Sequence, residues 1–93
     1  MQVHLTVTQL HIDNGSICDS GCPIALALDD QVPDCLDVSV IDRVIAFRDP
    51  RGTYRCRPDD QVVGWIHDFD ESRPVEPFEL DLDFDFEPAD PTA

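Results

Sequence analysis

The sequence contains no lysine, and its six basic residues are all arginines. Twenty acidic residues stand against them and give a formal net charge of −14 over 93 residues. A charge of this size repels nucleic acid and anionic membrane surfaces and attracts basic protein surfaces. The composition therefore argues against direct binding of DNA and is compatible with binding of a basic protein. Five of the arginines lie between residues 43 and 57, where we expect internal ion pairs or solvated surface.

Long apolar runs and a leader pattern are also missing. No stretch approaches the roughly 20 apolar residues that a membrane-spanning helix requires. The first residues lack the basic-then-apolar pattern of a signal peptide. We therefore expect a cytoplasmic protein, within a host cell, in which cysteines stay reduced.

Four cysteines are present, but their spacing gives little support for chemistry. Cys18 and Cys22 are separated by three residues, whereas paired zinc ligands are usually separated by two, and Cys35 and Cys56 form no second close pair. Free thiols, one disulfide and a structural zinc site all stay open, and free thiols are the favoured reading. A nucleophilic cysteine needs a nearby base, and His11 is the only sequence neighbour. We therefore predict no catalytic residue, no metal ligand and no cofactor.

The strongest pattern lies at residues 78–87, where large apolar residues alternate with acids. The apolar residues are Phe78, Leu80, Leu82, Phe84 and Phe86, and the acids, which we call the acid row, are Glu79, Asp81, Asp83, Asp85 and Glu87. This period of two predicts a half-buried strand. Its same-face carboxylates would be about 6.6 Å apart, close to the roughly 7 Å between successive phosphates of a DNA strand. A solvated acidic face is the plainer reading, and a calcium loop is disfavoured because a regular strand cannot wrap an ion.

The remaining patterns complete an α+β fold. Strands are predicted at residues 2–7, 36–41, 43–48 and 53–57, and helices at residues 23–30 and from Pro58 to about residue 70. Thr8 can cap a short helical turn that Asn14-Gly15 ends in a left-handed conformation. We predict a small antiparallel or mixed sheet of four to five strands with two main helices on one face. Residues 1–87 would form one domain and residues 88–93 a flexible tail. The acidic strand lies either centrally, beside the first strand, or at an edge.

Two resemblances bear on function. The segment Asp19-Ser20-Gly21-Cys22-Pro23-Ile24-Ala25-Leu26-Ala27-Leu28 resembles uncharacterised small proteins of actinobacterial phages. In size, acidity and α+β make-up the whole chain resembles phage DNA mimics, above all the uracil-DNA glycosylase inhibitors, and anti-CRISPR and anti-restriction proteins share these features. The inhibitor family implies two helices on an antiparallel sheet, an acidic edge strand with a Glu-Ser-Ile stretch, and a hydrophobic pocket for an apolar loop of the enzyme. Glu71-Ser72 matches that stretch, and Arg73 stands where the family has Ile.

The expected function is that of a non-enzymatic, phage-derived DNA mimic. The acid row would occupy the basic cleft of a host DNA-repair or defence protein: a uracil-DNA glycosylase, a CRISPR effector or a restriction enzyme. The acids that extend this surface are Asp68, Asp70, Glu71 and Glu76. The protein itself would be a monomer or a homodimer. Two alternatives stay open: a phage accessory protein with a merely solvated acidic face, and a small metal-binding module.

Overall fold

The residues that the computed structural model describes, which are 1–18, 20–41 and 43–89, form six strands and three helices. In chain order they are β1 Gln2–Val7, α1 Gln9–Asn14, α2 Pro23–Gln31, β2 Leu36–Ile41, β3 Val44–Asp49, β4 Gly52–Cys56, α3 Asp60–Asp70, β5 Phe78–Asp83 and β6 Asp85–Pro88. The predicted α+β class with two main helices is confirmed. No helix within this part of the chain is long and apolar enough to cross a membrane.

The strands form two antiparallel sheets where a single sheet was expected. β1 pairs with β5, and the other four strands follow the order β2-β3-β4-β6. The division arises because the predicted strand at 78–87 changes partner at Phe84. There the Phe84 N–H donates to the Met1 carbonyl (2.8 Å) and the Phe84 carbonyl accepts from the Met1 ammonium (2.8 Å). The first half thus lies beside the first strand, as expected, although not centrally because that sheet has only two strands, and the second half lies at an edge of the larger sheet.

One core joins the two sheets, α2 and α3. Alternate residues of the strands face it, among them Leu5, Ile45, Phe47 and Leu82. The predicted burial of α2 is confirmed. Its five buried residues are Pro23, Ile24, Ala25, Ala27 and Leu28. Burial of each large apolar side chain in this core, such as Leu, Ile or Phe, contributes roughly 1.5–3 kcal/mol to the stability of the fold. The core therefore holds the strands in extended form although half of the residues in β5 are acids, which are poor strand formers.

The helix starts follow the sequence signals, but one helix end does not. The Thr8 hydroxyl accepts from the His11 N–H, the Asp59 carboxylate accepts from the Val62 N–H, and Pro23 is the first residue of α2. Gly15, expected in a left-handed conformation, has φ −73° and ψ 152°, so that prediction is wrong. Glycine is needed there for space, since a Cβ atom would lie 2.8 Å from the Pro23 ring. Gly15 thus allows α1 and α2 to meet closely.

The chain continues in regular structure slightly beyond the predicted domain end. Pro88 belongs to β6 and lies opposite Gly52, and the Ala89 N–H donates to the Arg51 carbonyl (2.9 Å). The rest of the predicted tail, residues 90–93, lies outside the described residues. The structured part of the acidic segment therefore includes the whole acid row.

Candidate acidic binding surface

All five side chains of the acid row are exposed, and three of the four apolar residues between them are buried in the core. Leu80, Leu82 and Phe84 are buried, as predicted. Phe78 is half-buried against Trp65, with ring centroids 4.7 Å apart. Phe86 differs from the prediction because it is 47% exposed: it lies on the edge strand β6, where its ring packs on the Tyr54 ring (4.9 Å). The row is thus divided between two sheets, with Glu79, Asp81 and Asp83 on β5 and the other two acids on β6.

Four members of the acid row have a positively charged or titratable partner from a neighbouring segment. The imidazole nitrogens of His4 lie 2.7 Å from an Asp81 oxygen and 3.4 Å from a Glu79 oxygen. The α-ammonium of Met1 lies 3.5 Å from Asp83. Arg55 donates to Glu87. Asp85 has no ion pair among the described residues. The negative charge of the row is therefore partly balanced from within the protein.

His4 is the titratable member of this arrangement. Carboxylates only accept hydrogen bonds, so both contacts form fully when both ring nitrogens carry a proton. The hydrogen bond to Asp81, and then that to Glu79, raises the pKa of His4 above its usual 6.5. Sequence reasoning missed this partner, although His4 follows the β1 alternation and the antiparallel register places it directly opposite Asp81. The net charge of His4 and its two acidic partners together therefore becomes more negative as the pH rises through the raised pKa of His4.

The four acids expected to extend the surface are distributed unevenly. Arg73 pairs with Asp68 (3.2 Å) and with Glu71 (2.8 Å). Asp70 lines a small depression beside Cys18 and Cys22, away from the row. Glu76 has no ion pair among the described residues, and it lies with Asp68 in one groove. The structure therefore brings Asp68 and Glu76 together with part of the acid row.

That groove, which we call the Trp65 groove, runs between α3 and residues 74–81 and has a volume of about 770 Å³. Acids and apolar side chains line it, and no Arg or His is found in its described lining. Its acids are Asp59, Asp68, Glu76, Glu79 and Asp81; its apolar residues include Val62, Trp65, Phe78 and Leu80. Trp65 is also partly buried against the core, and sequence reasoning did not identify its place in this groove. The sequence signal that could have indicated the groove is that Trp65 lies in the same predicted helix as several acids.

A second depression holds the other end of the acid row and has a different charge. Asp83, Asp85 and Glu87 line it together with Arg55 and Arg57. The other three arginines of residues 43–57 also form ion pairs: Arg43 with Asp60, Arg48 with Asp37 and Arg51 with Asp49. Four of the five arginines in this group thus form internal ion pairs, which is one of the two expected arrangements. The acidic surface consists of an arginine-free groove and a mixed-charge depression.

The cysteines and His11 offer no assembled chemistry in the described part of the chain. All four thiols are unbonded, and no three His, Cys, Asp or Glu side chains of residues 1–18, 20–41 and 43–89 converge as a metal site. A hydrogen bond from the Ser16 hydroxyl lowers the pKa of the exposed Cys18, whereas burial raises the pKa of Cys35 to about 11. The His11 imidazole accepts from the Thr8 N–H and lies 3.3 Å from Asp30, so it serves the start of α1.

Comparisons with protein-family models, with curated proteins and with solved structures found no match to this chain.

Proposed function

We propose that this chain is a non-enzymatic DNA mimic that binds the basic DNA-binding cleft of another protein and blocks it. The observation that carries the proposal is the extended segment of β5 and β6. It presents five exposed carboxylates while the alternate residues Leu80, Leu82 and Phe84 are buried. A buried alternate face fixes the spacing of the acids, which a flexible acidic tail could not do.

The spacing suits a protein that normally holds phosphates. Glu79, Asp81 and Asp83 alternate along one face of β5, at about 6.6 Å per two residues. Arginines and lysines arranged for a DNA strand, with phosphates roughly 7 Å apart, would meet these carboxylates in turn. Complementary fields of this kind speed encounter, and salt screens them. Binding should therefore be fast and should weaken as ionic strength rises.

The internal partners of the acid row fit a competition with the target protein. The contacts made by His4, Met1 and Arg55 are exposed to solvent, and exposed ion pairs contribute little to stability because water screens them. An incoming arginine can replace them at little cost. Inhibition by occupancy needs no catalytic residue and no cofactor. A host DNA-repair or defence protein in the cytoplasm is the proposed target, in agreement with the resemblance to phage inhibitors.

A merely solvated acidic face is the second candidate, and the pairing of four of the five row acids favours it. In that case the row would be a stabilised surface of an accessory protein, and no DNA-binding protein would recognise it. The two candidates make different predictions. If the protein is a DNA mimic, binding depends on the particular acids of the row; if the row is only solvated surface, binding does not depend on them.

The test is a pull-down from host lysate at low salt, eluted with a salt gradient and repeated with competing duplex DNA. Bait variants are Asp81→Asn/Asp83→Asn/Asp85→Asn and a matched control, Asp13→Asn/Asp29→Asn/Asp34→Asn, whose exposed acids lie elsewhere. Both triple variants remove three charges. We expect one DNA-acting protein that DNA displaces, retained by the control and lost by the row variant. Equal retention by both variants, or a partner that DNA cannot displace, would contradict mimicry.

A further inference from the structure

We propose that the Trp65 groove is the anchoring site of the surface and accepts an arginine side chain of the protein partner. The choice of a protein partner rests on the proposed function; the choice of arginine rests on the groove itself. Charge alone gives little specificity, and binding energy usually concentrates where a side chain fills a pocket. The groove is the place on the acidic surface that combines a pocket, an aromatic ring and excess negative charge.

The aromatic part of the groove is held in place. The Trp65 indole N–H donates to the Glu76 carbonyl (3.0 Å), which ties α3 to the segment before β5. Phe78 packs on the indole at 4.7 Å, and Phe69 stacks at 6.1 Å with an interplanar angle of 4°. Trp65 nevertheless stays partly exposed within the groove lining. A planar guanidinium can stack on such a ring and be attracted by its π-electrons.

The charges around the ring select a cation. Five carboxylates line the groove, and the bases that pair with three of them, His4 and Arg73, are not among the described lining residues. Glu76 adds a carboxylate that has no ion pair among the described residues. Such a concave acidic wall concentrates the field and attracts a positive group. Arginine also matches carboxylates through its fork of N–H donors.

Other occupants fit less well. DNA is repelled by the net charge of −14. A metal ion needs ligands that converge, and the groove acids do not form such a group among the described residues. A second copy of this chain could insert one of the arginines of residues 43–57, but its own net charge of −14 would repel the first copy. A partner segment that is basic and partly apolar satisfies both the carboxylates and the ring.

The chain has a single tryptophan, so the groove carries its own reporter. We would titrate ¹⁵N-labelled protein at low salt with the peptide acetyl-Gly-Arg-Gly-amide and follow the indole N–H resonance of Trp65. Counterpart peptides carry lysine or citrulline, the latter a neutral analogue of arginine. We expect saturable shifts at Trp65 with arginine, weaker binding with lysine, and about tenfold weaker binding with citrulline. Equal shifts with arginine and citrulline would overturn the proposal.

Paired variants locate the effect and separate this inference from the proposed function. Asp68→Asn/Glu76→Gln removes groove charge and leaves the Glu76 carbonyl in place; Asp83→Asn/Asp85→Asn removes equal charge outside the groove. We expect only the first double variant to bind the arginine peptide more weakly, with an affinity lowered by at least about fivefold. Unchanged peptide binding by Asp68→Asn/Glu76→Gln would contradict the proposed anchoring site.

The same two double variants are then tested for binding to the partner captured from lysate. If only Asp83→Asn/Asp85→Asn loses the partner, mimicry is supported without the anchoring site. If only Asp68→Asn/Glu76→Gln loses it, the anchoring site is supported without mimicry. A Trp65 resonance that moves with protein concentration, and not with peptide, would identify a second copy as the occupant.

Discussion

The β5 and β6 halves of the acidic segment share one sequence pattern but lie in different surroundings. β5 packs beside β1, its acids face a histidine and the N-terminus, and two of them line the Trp65 groove. β6 packs beside β4, and its acids share a depression with Arg55 and Arg57. The β5 half therefore has the greater excess of negative charge and borders the larger cavity, about 770 Å³ against about 600 Å³. The comparison teaches that the neighbouring strand, and not the acidic strand itself, decides how much of the charge is available to a partner.

Phe84 joins the two halves, and its removal should have the largest effect. Its side chain is 1% exposed and packs edge-on against Phe47 with ring centroids 5.0 Å apart. We expect Phe84→Ala to lower the free energy of unfolding by about 3–5 kcal/mol, because it leaves a cavity where the segment changes sheets. Urea denaturation measures the loss. The control is Phe86→Ala, in the exposed half, where we expect about 1 kcal/mol; similar losses at both positions would contradict this account of the joint.

His4 should make the stability of the β5 half depend on pH. Its pKa is raised in the folded protein, so its contribution is fully present below about pH 6.5, the unfolded value, and is lost as pH rises through the folded pKa. The difference in unfolding free energy between the natural protein and His4→Gln should therefore be larger at pH 5.5 than at pH 8.5. Urea denaturation at the two pH values measures it. The control is Arg55→Gln in the β6 half, which stays charged throughout and should give a constant difference; a constant difference for His4→Gln would refute the role given to His4.

Arg55→Gln should have the smallest effect on stability. The Arg55–Glu87 pair is exposed on both sides, so its loss should change the unfolding free energy by less than about 1 kcal/mol. The same variant raises the negative charge of the β6 half. If this half contacts the target, affinity should rise at low salt; if only the β5 half does, affinity should stay unchanged. A fall in affinity would mean that Arg55 itself contacts the partner, against the present assignment.

The sequence predicted most of the local structure because local signals specify it. Thr8, Pro23 and Asp59 mark helix starts, and alternation marks each strand. The change of sheet at Phe84 could not be predicted, because a period of two is the same whichever strand lies alongside. Gly15 was assigned the wrong conformation because its real constraint, the nearby Pro23 ring, is a tertiary contact.

The acids of the candidate site could be predicted from the sequence, but the cations that partly neutralise them could not. All nine expected acids lie among the described residues, yet the cations near the acid row come from distant parts of the sequence. His4 meets Asp81 across 77 positions, and Arg55 meets Glu87 across 32. The Trp65 groove likewise needs the segment 74–81 to pack beside α3. Pairwise register and helix placement carry this information, and alternation within one strand does not.

The pairing of β1 with β5 also has a kinetic consequence. Leu5 lies opposite Leu80, so this sheet joins segments far apart in the chain, whereas β2, β3 and β4 follow one another directly. Closing so long a loop is entropically costly, and contacts of this kind generally form late in folding. We expect the β2–β4 meander to assemble first and the two-stranded sheet to close last. The ordered carboxylates of β5 would then exist only once folding is complete, and an incompletely folded chain would lack the surface that a partner recognises.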